Sequence, residues 1–535
     1  MKRISICIIT AAVFSAAIFA QDIELPEVTT IVTGETEKAG KNALPGFSNV
    51  LKVTTGSGEI EPELPETEDA EKEIVVSVAQ ESKAEKNFNV EGLVGGGYPL
   101  FFIGDVSLYR ATGDSPYKIS FAHDQAFSYV NHSITDNFSD RTTKLEIEKS
   151  YHKNNLNWDF GGSFKSCSDG LQGVIKSNNQ LISYLNRDTF SANGSIDYEF
   201  ANGFVTGLSA DGVFYNRYAE QTSNILPKIS YVELSPELFV KWHGHGFEAG
   251  VTADYSFSTE LSDNFIFVDG HRAEFTANLQ WQNDYVRLYG MASAVIGNTI
   301  KEKPVIVPFT AGVDASIPVS FADRNFLICA EGGIKSYKSG IDELEDKYKF
   351  TQINWNPSET SDWYGKLGFT LPVSFFFTGT AFVEYRRSAY DNGIMKPKYA
   401  EDLSLIYPYY EVDHELLITD FQLVYAYEGF GIKGGWHSNW LDIPALENRH
   451  YVTLAFSYED SKERWGAEIS GRLNINNDFD IPVLDAQAFV KVTSAARVIL
   501  SVNDIIKLYK GEARTYAGKY VARGGSAALL VKFIF

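Results

Sequence analysis

Phe247-Glu248-Ala249-Gly250-Val251-Thr252-Ala253-Asp254-Tyr255-Ser256-Phe257 alternates without a break: every odd position is apolar, every even one polar or glycine. Successive side chains of a strand point to opposite faces, so this stretch carries one greasy side and one wet side. The pattern recurs along the chain. Phe190, Ala192, Gly194, Ile196 and Tyr198 alternate with Ser191, Asn193, Ser195, Asp197 and Glu199. Ala273, Phe275, Ala277, Leu279 and Trp281 do so with Arg272, Glu274, Thr276, Asn278 and Gln280, and Trp465, Ala467, Ile469 and Leu473 with Gly466, Glu468, Ser470 and Arg472.

Short turn sequences punctuate these runs: Thr112-Gly113-Asp114-Ser115, Lys153-Asn154-Asn155, Ala201-Asn202-Gly203, Gly244-His245-Gly246, Gln282-Asn283-Asp284, Ala322-Asp323-Arg324, a weakly marked one at Phe375-Phe376, Glu428-Gly429, Ser461-Lys462-Glu463 and Ser494-Ala495-Ala496. Each reads as a tight hairpin. The connections at the opposite end are long and polar, as in residues 338 to 360, 389 to 411 and 438 to 448. Short turns at one end and long loops at the other are the asymmetry of a membrane-spanning antiparallel barrel. With both chain ends on the short-turn side, these turns imply about 22 strands, within a range of about 18 to 22.

Soluble β-sandwiches also alternate, but they bury their apolar face in a dry core. Here the other face carries Glu248, Asp254, Arg272, Glu274, Glu468 and Arg472. Lipid outside and water inside account for both faces, and these six residues are the expected lumen lining.

The chain has 535 residues, 44% hydrophobic and 14% aromatic, too much to bury for a disordered chain. Its formal charge of −22 argues against nucleic-acid binding, which needs basic surface. Lys2 and Arg3 precede an apolar run from Ile4 to Phe19, and Ala20 stands before Gln21, so residues 1–20 read as a cleaved secretory signal peptide. Residues 21–86 follow as an acidic arm. Between 35 and 86 it is rich in Asp and Glu, punctuated by Pro62 and Pro65 and poor in aromatics, a composition that does not offset its ordering entropy. The barrel is expected over 87–535, in the outer membrane of a diderm bacterium.

The carboxyl end reads Ala527-Ala528-Leu529-Leu530-Val531-Lys532-Phe533-Ile534-Phe535. Leu529, Val531, Phe533 and Phe535 resemble the terminal strand of outer-membrane β-barrel proteins, which implies recognition by the barrel assembly machinery. More widely, Ala488–Val492, Val498–Asp504, Tyr516, Gly518, Tyr520 and the last strand resemble the end of the barrel of TonB-dependent receptors. Near the amino end, Glu27, Val28, Thr29, Thr30, Ile31 and Val32, within 27–34, look like a TonB box, which implies a TonB-like partner pairing as an added strand. That family places a folded plug of well over a hundred residues between box and barrel. Here only residues 35–86 lie there, with no recognisable plug domain, which leaves room for a separately encoded periplasmic plug protein.

No enzymatic constellation emerges. His243 and His245 flank Gly244 in an expected turn and have no evident third ligand, and Gly95-Gly96-Gly97 is followed by neither helix nor Lys as a phosphate loop requires. No metal, cofactor or catalytic residue is assigned. The reading is passage: an outer-membrane channel or transporter for a small solute, in contact with membrane lipid. The alternative is a surface-binding or structural barrel whose loop aromatics, Trp355, Tyr399, Tyr407, Tyr409 and Tyr410, meet a ligand or partner.

Overall fold

The computed structural model describes residues 88–535 except 112, 128–139, 171–175, 178–179, 182–183, 221–227, 263–268, 300–304, 320–323, 339, 348–358, 391–393, 400–405, 412–413, 444–446, 477–479 and 517–519. The leader, the acidic arm and the box-like segment 27–34 lie outside the described residues.

Alternation becomes one closed antiparallel sheet of 22 full-length strands, with the two-residue piece Val305–Ile306 added beside one of them. In chain order the strands are β1 Asn89–Tyr98, β2 Phe101–Arg110, β3 Tyr117–Ala126, β4 Asp140–Lys153, β5 Leu156–Gly170, β6 Tyr184–Glu199, β7 Phe204–Glu220, β8 Ile229–Gly244, β9 Phe247–Glu260, β10 Gly270–Gln282 and β11 Val286–Gly297. They continue as β12 Phe309–Val319, β13 Arg324–Tyr337, β14 Thr360–Ser374, β15 Phe377–Ser388, β16 Glu415–Tyr427, β17 Phe430–Asn439, β18 His450–Glu459, β19 Trp465–Ile475, β20 Val483–Thr493, β21 Ala496–Asn503 and β22 Ser526–Ile534.

Each strand pairs with its sequence neighbours, and β1 pairs with β22 from Glu91↔Ile534 to Tyr98↔Ala527. Two bonds finish the seam: Phe535 N–H donates to Val90 O at 2.8 Å, and Val90 N–H to Phe535 O at 3.1 Å. Closure leaves the sheet without a free edge, the condition a strand structure must meet in a hydrocarbon layer. Among the described residues, no helix is long and apolar enough to cross a membrane.

The outward face is greasy along the quoted runs. Val251 is 58% exposed, Leu279 58% and Leu529 58%, and the apolar partners of the polar positions in every quoted run project the same way. The terminal strand alternates as expected, with Val531 exposed and Ala528 and Leu530 buried on the inner side against Phe489 and Ile499.

The rim holding both barrel ends, called inner here, carries the short turns. Asn154, His245, Glu428 and Glu463 adopt left-handed φ there, beside Gly203, Gly246 and Gly429. The other rim carries the longer connections, with one departure: β1 and β2 are joined by Pro99 and Leu100 alone. The glycine triplet explains the tight corner, because a Cβ on Gly97 would lie 1.8 Å from Ala527 O and one on Gly95 2.2 Å from Leu529 O. Only glycine lets the seam backbones approach so closely.

Candidate functional site

The inward face is polar, and its side chains pair. Asp254 on β9 faces Glu274 on β10 in register, and Glu237 on β8 faces Asp254. With Asp211 on β7, these neighbouring strands carry a band of carboxylates around one arc of the wall. Arg272 serves this band: its guanidinium lies 2.7 Å from Glu274 and 3.6 Å from Asp254. Glu248 sits half-buried nearer the inner rim, in register with Gln280.

Glu468 and Arg472 belong to the far side of the barrel, on β19. Arg472 stacks over the Tyr451 ring at 4.3 Å and donates to Asn474 Oδ1 at 2.8 Å. The expected lumen residues therefore form two groups on opposing arcs, Glu248, Asp254, Arg272 and Glu274 on one and Glu468 and Arg472 on the other.

Between the arcs runs a strap that the sequence did not disclose. After β13 comes Lys338 and then the short helix α1 Ile341–Lys347, and the described chain resumes at Glu359, one residue before β14. Asp342 and Glu343 occupy the helix's first turn, where the backbone N–H groups favour negative charge. Ile341 and Leu344, three residues apart and so on one side of the helix, are both buried.

Charged anchors fix the strap to strands well around the wall. Lys338 Nζ lies 3.3 Å from both Glu233 carboxylate oxygens on β8. Asp346 pairs with Lys165 on β5 and, at 3.1 Å, with Arg187 on β6, which also holds Asp169 at 2.5 Å. Glu359 accepts from Arg272 at 2.8 and 3.1 Å and from Ser336 Oγ at 2.9 Å. All these partners lie in the outer-rim portions of their strands, so the strap crosses the outer part of the lumen.

Burial holds the carboxyl of Asp342 above its ordinary range, and the neighbouring charges of Glu343 and Asp346 push the same way, against hydrogen bonds from the helix backbone. The strap thus carries one acid that its seated position disfavours in ionised form.

The last outer connection, between β21 and β22, is tied down similarly. Asp504 caps the helix α2 Ile505–Lys510 and binds Arg514, while Arg523 reaches Asp124 on β3 and Asp140 on β4 at 2.7 and 2.9 Å. In the connection after β15, Ile394–Tyr399 pairs with Ile406–Glu411 as a small hairpin that carries Tyr399, Tyr407, Tyr409 and Tyr410; their side chains, and Trp355 altogether, lie outside the described residues. His243 stands 3.5 Å from Glu199, and His245 occupies the turn.

No family model matches this chain, and no curated protein matches it. Solved structures do. The FrpB iron transporter from Neisseria meningitidis (F3-3 variant) superposes with a TM-score of 0.63 at 11% identity, over 84% of this chain and 82% of that one. The siderophore receptor PirA from Acinetobacter baumannii gives 0.61 at 6% identity, over 84% and 80%. The copper transporter OprC gives 0.59 at 10% identity, over 84% and 80%.

The fold is that of the TonB-dependent receptor barrel.

At these identities the likeness concerns the fold. Within that fold the strap is the feature that gathers the most charge, bringing Glu359, Asp346 and Lys338 to Arg272, Arg187, Lys165 and Glu233. The run Gly340-Ile341-Asp342-Glu343-Leu344-Glu345-Asp346-Lys347 is the signal it leaves in the sequence: acids follow a glycine, with two apolar residues at helical spacing inside a long connection that could fold inward or face outward.

Proposed function

We propose that the chain is an outer-membrane transporter or channel that passes a small solute through its polar lumen, with the strap as the element that yields. The observation that carries this reading is the strap itself, anchored across the inside of a closed barrel largely by ion pairs. Such anchors rest on single charges, and of them the Lys165–Asp346 pair is open to water and so the readiest to part, unlike a packed apolar core. The carboxylates of Asp211, Glu237, Asp254 and Glu274 line the path below the strap and favour cationic solutes over anionic ones. The transporters and the siderophore receptor that share the fold support transport as the class of function.

Within this reading the leader exports the chain, the terminal strand with Leu529, Val531, Phe533 and Phe535 recruits the assembly machinery, and Glu27–Val32 engages a TonB-like protein. The arm, too short for the plug expected of the family, leaves occlusion to the strap or to a separate periplasmic protein.

Planar-bilayer recording tests the proposal. The full barrel is expected to give small conductance steps, and a variant in which a short glycine linker replaces residues 339–358 larger ones with cation selectivity. A strap-deleted barrel that inserts but never conducts contradicts it.

A further inference from the structure

The outward wall holds a second feature that transport does not use. Between β16 and β21 the lipid-facing side is not flat but concave, with a cavity of about 610 Å³ lined almost entirely by apolar atoms. Small side chains make its floor: Ala467, Ala486 and Ala488 stand where neighbouring positions carry Ile469 or Val490. Large rings make its mouth. Tyr427 and Phe430 close one hairpin, and Phe430 packs on Tyr458 with centroids 4.7 Å apart.

The register gives the groove a direction. Tyr427 pairs with Phe430 and Phe430 with Tyr458 at the inner rim, Tyr458 with Ala467, and Ala467 with Ala488 well up its strand. The groove therefore starts at the inner rim and climbs across six strands, a span of about 24 Å at about 4.8 Å per strand. Its mouth lies at the level where aromatic girdles meet lipid headgroups, and its far end lies in the hydrocarbon layer.

We propose that this groove binds one phospholipid of the inner-rim leaflet, its acyl chain along the alanine floor and its headgroup at the mouth; the proposal rests on the transmembrane reading of the barrel. Charge at the mouth matches a zwitterionic headgroup. Glu428 stands in the turn between Tyr427 and Phe430, in hydrogen-bond contact with Tyr427, and Lys462 is exposed in the next inner turn, so both signs of charge occur on the rim beside the mouth, for ammonium and phosphate. The rings of Tyr427 and Tyr458 add a surface on which an ammonium is favoured.

Full-length protein stripped of lipid in detergent and titrated with phosphatidylethanolamine is read by native mass spectrometry. The parent is expected to retain one lipid. Ala467→Trp/Ala488→Trp, which fills the floor, is expected to retain about tenfold less, as is the milder Ala486→Leu should the double variant fold poorly. Ala277→Trp, outward on β10, is expected to behave as the parent. Equal retention by parent and filled variants, or a parent dimer that covers this face without lipid, overturns the groove. Conductance separates the two readings: intact conductance with equal retention removes the groove alone, whereas a parent that never inserts into bilayers removes the transmembrane reading as well.

Discussion

Arg272 Nε lies 2.8 Å from Glu359 Oε2, joining a wall strand to the residue that ends the strap, and the Glu359 side chain has no solvent exposure. A carboxylate removed from water stays ionised only beside a positive partner that also hydrogen-bonds it. Arg272 is thus both a wall residue and the clasp of the strap.

Removing one side of that clasp leaves a charge buried without compensation. Arg272→Met is expected to destabilise the seated strap by about 3 to 5 kcal/mol, and Arg272→Met/Glu359→Gln to recover much of that loss. Single-channel recording checks this: larger and noisier conductance steps for Arg272→Met than for the parent, partly restored in the double variant.

Asp342 gives the strap a pH dependence with a definite sign. Its carboxyl titrates above the ordinary range because the seated strap buries it beside Glu343 and Asp346. Below the ordinary carboxylate pKa it is protonated whether the strap is seated or released, and no penalty applies. As pH rises from there through its raised pKa, the seated state is progressively disfavoured. Conductance is therefore expected to increase over that window, and Asp342→Asn is expected to flatten the increase.

Cys167 offers a direct lock. It pairs in register with Arg187, which binds Asp346 of the strap. With Cys329 replaced by Ser, Asp346→Cys treated with a short bifunctional thiol reagent is expected to become cross-linked to Cys167 and to hold conductance at or below the parent level. Mass spectrometry of the Cys167 peptide verifies the link, and failure to cross-link places the strap elsewhere.

At the seam, Gly97→Ala drives a methyl group into a backbone oxygen rather than a yielding side chain. The outer end of β1 is expected to separate from β22, at a cost of about 1 to 3 kcal/mol. A lower midpoint in heat-induced unfolding on gels checks this, with Gly104→Ala as comparison, since a Cβ there meets only the Phe102 ring at 3.3 Å.

Most of the wall was legible in the sequence because membrane strands answer to two solvents at once. Phe275 and Leu279 stand on the outward face while Glu274 and Asn278 stand on the inward one, so the period of two is written in every pair, and Gly203 or Glu428-Gly429 supplies the left-handed residues of a tight turn. The weakly marked Phe375-Phe376 also proved to be a turn, joining β14 to β15. The strap was not legible, for a physical reason. Its helix has only seven residues and its anchors are single charges on strands far away in sequence, Lys165, Arg187, Glu233 and Arg272. A local pattern does not report such partners, and a polar stretch between two strands reads equally as an outer loop. Lys338 and Glu359 carry no signature that separates an inward course from an outward one.

The central claim is that adjacent residues of one strand meet different solvents, and Asn278 and Leu279 on β10 are the sharpest pair. Each is replaced in turn by Cys in a barrel with Cys167 and Cys329 changed to Ser, reconstituted in liposomes, and exposed to a charged thiol reagent and, after attachment of a fluorophore by denaturation and refolding, to brominated lipid. The account predicts that Asn278→Cys reacts with the aqueous reagent and escapes the lipid quencher, while Leu279→Cys does the reverse. Equal aqueous reactivity at both positions, with no lipid quenching at either, would contradict it.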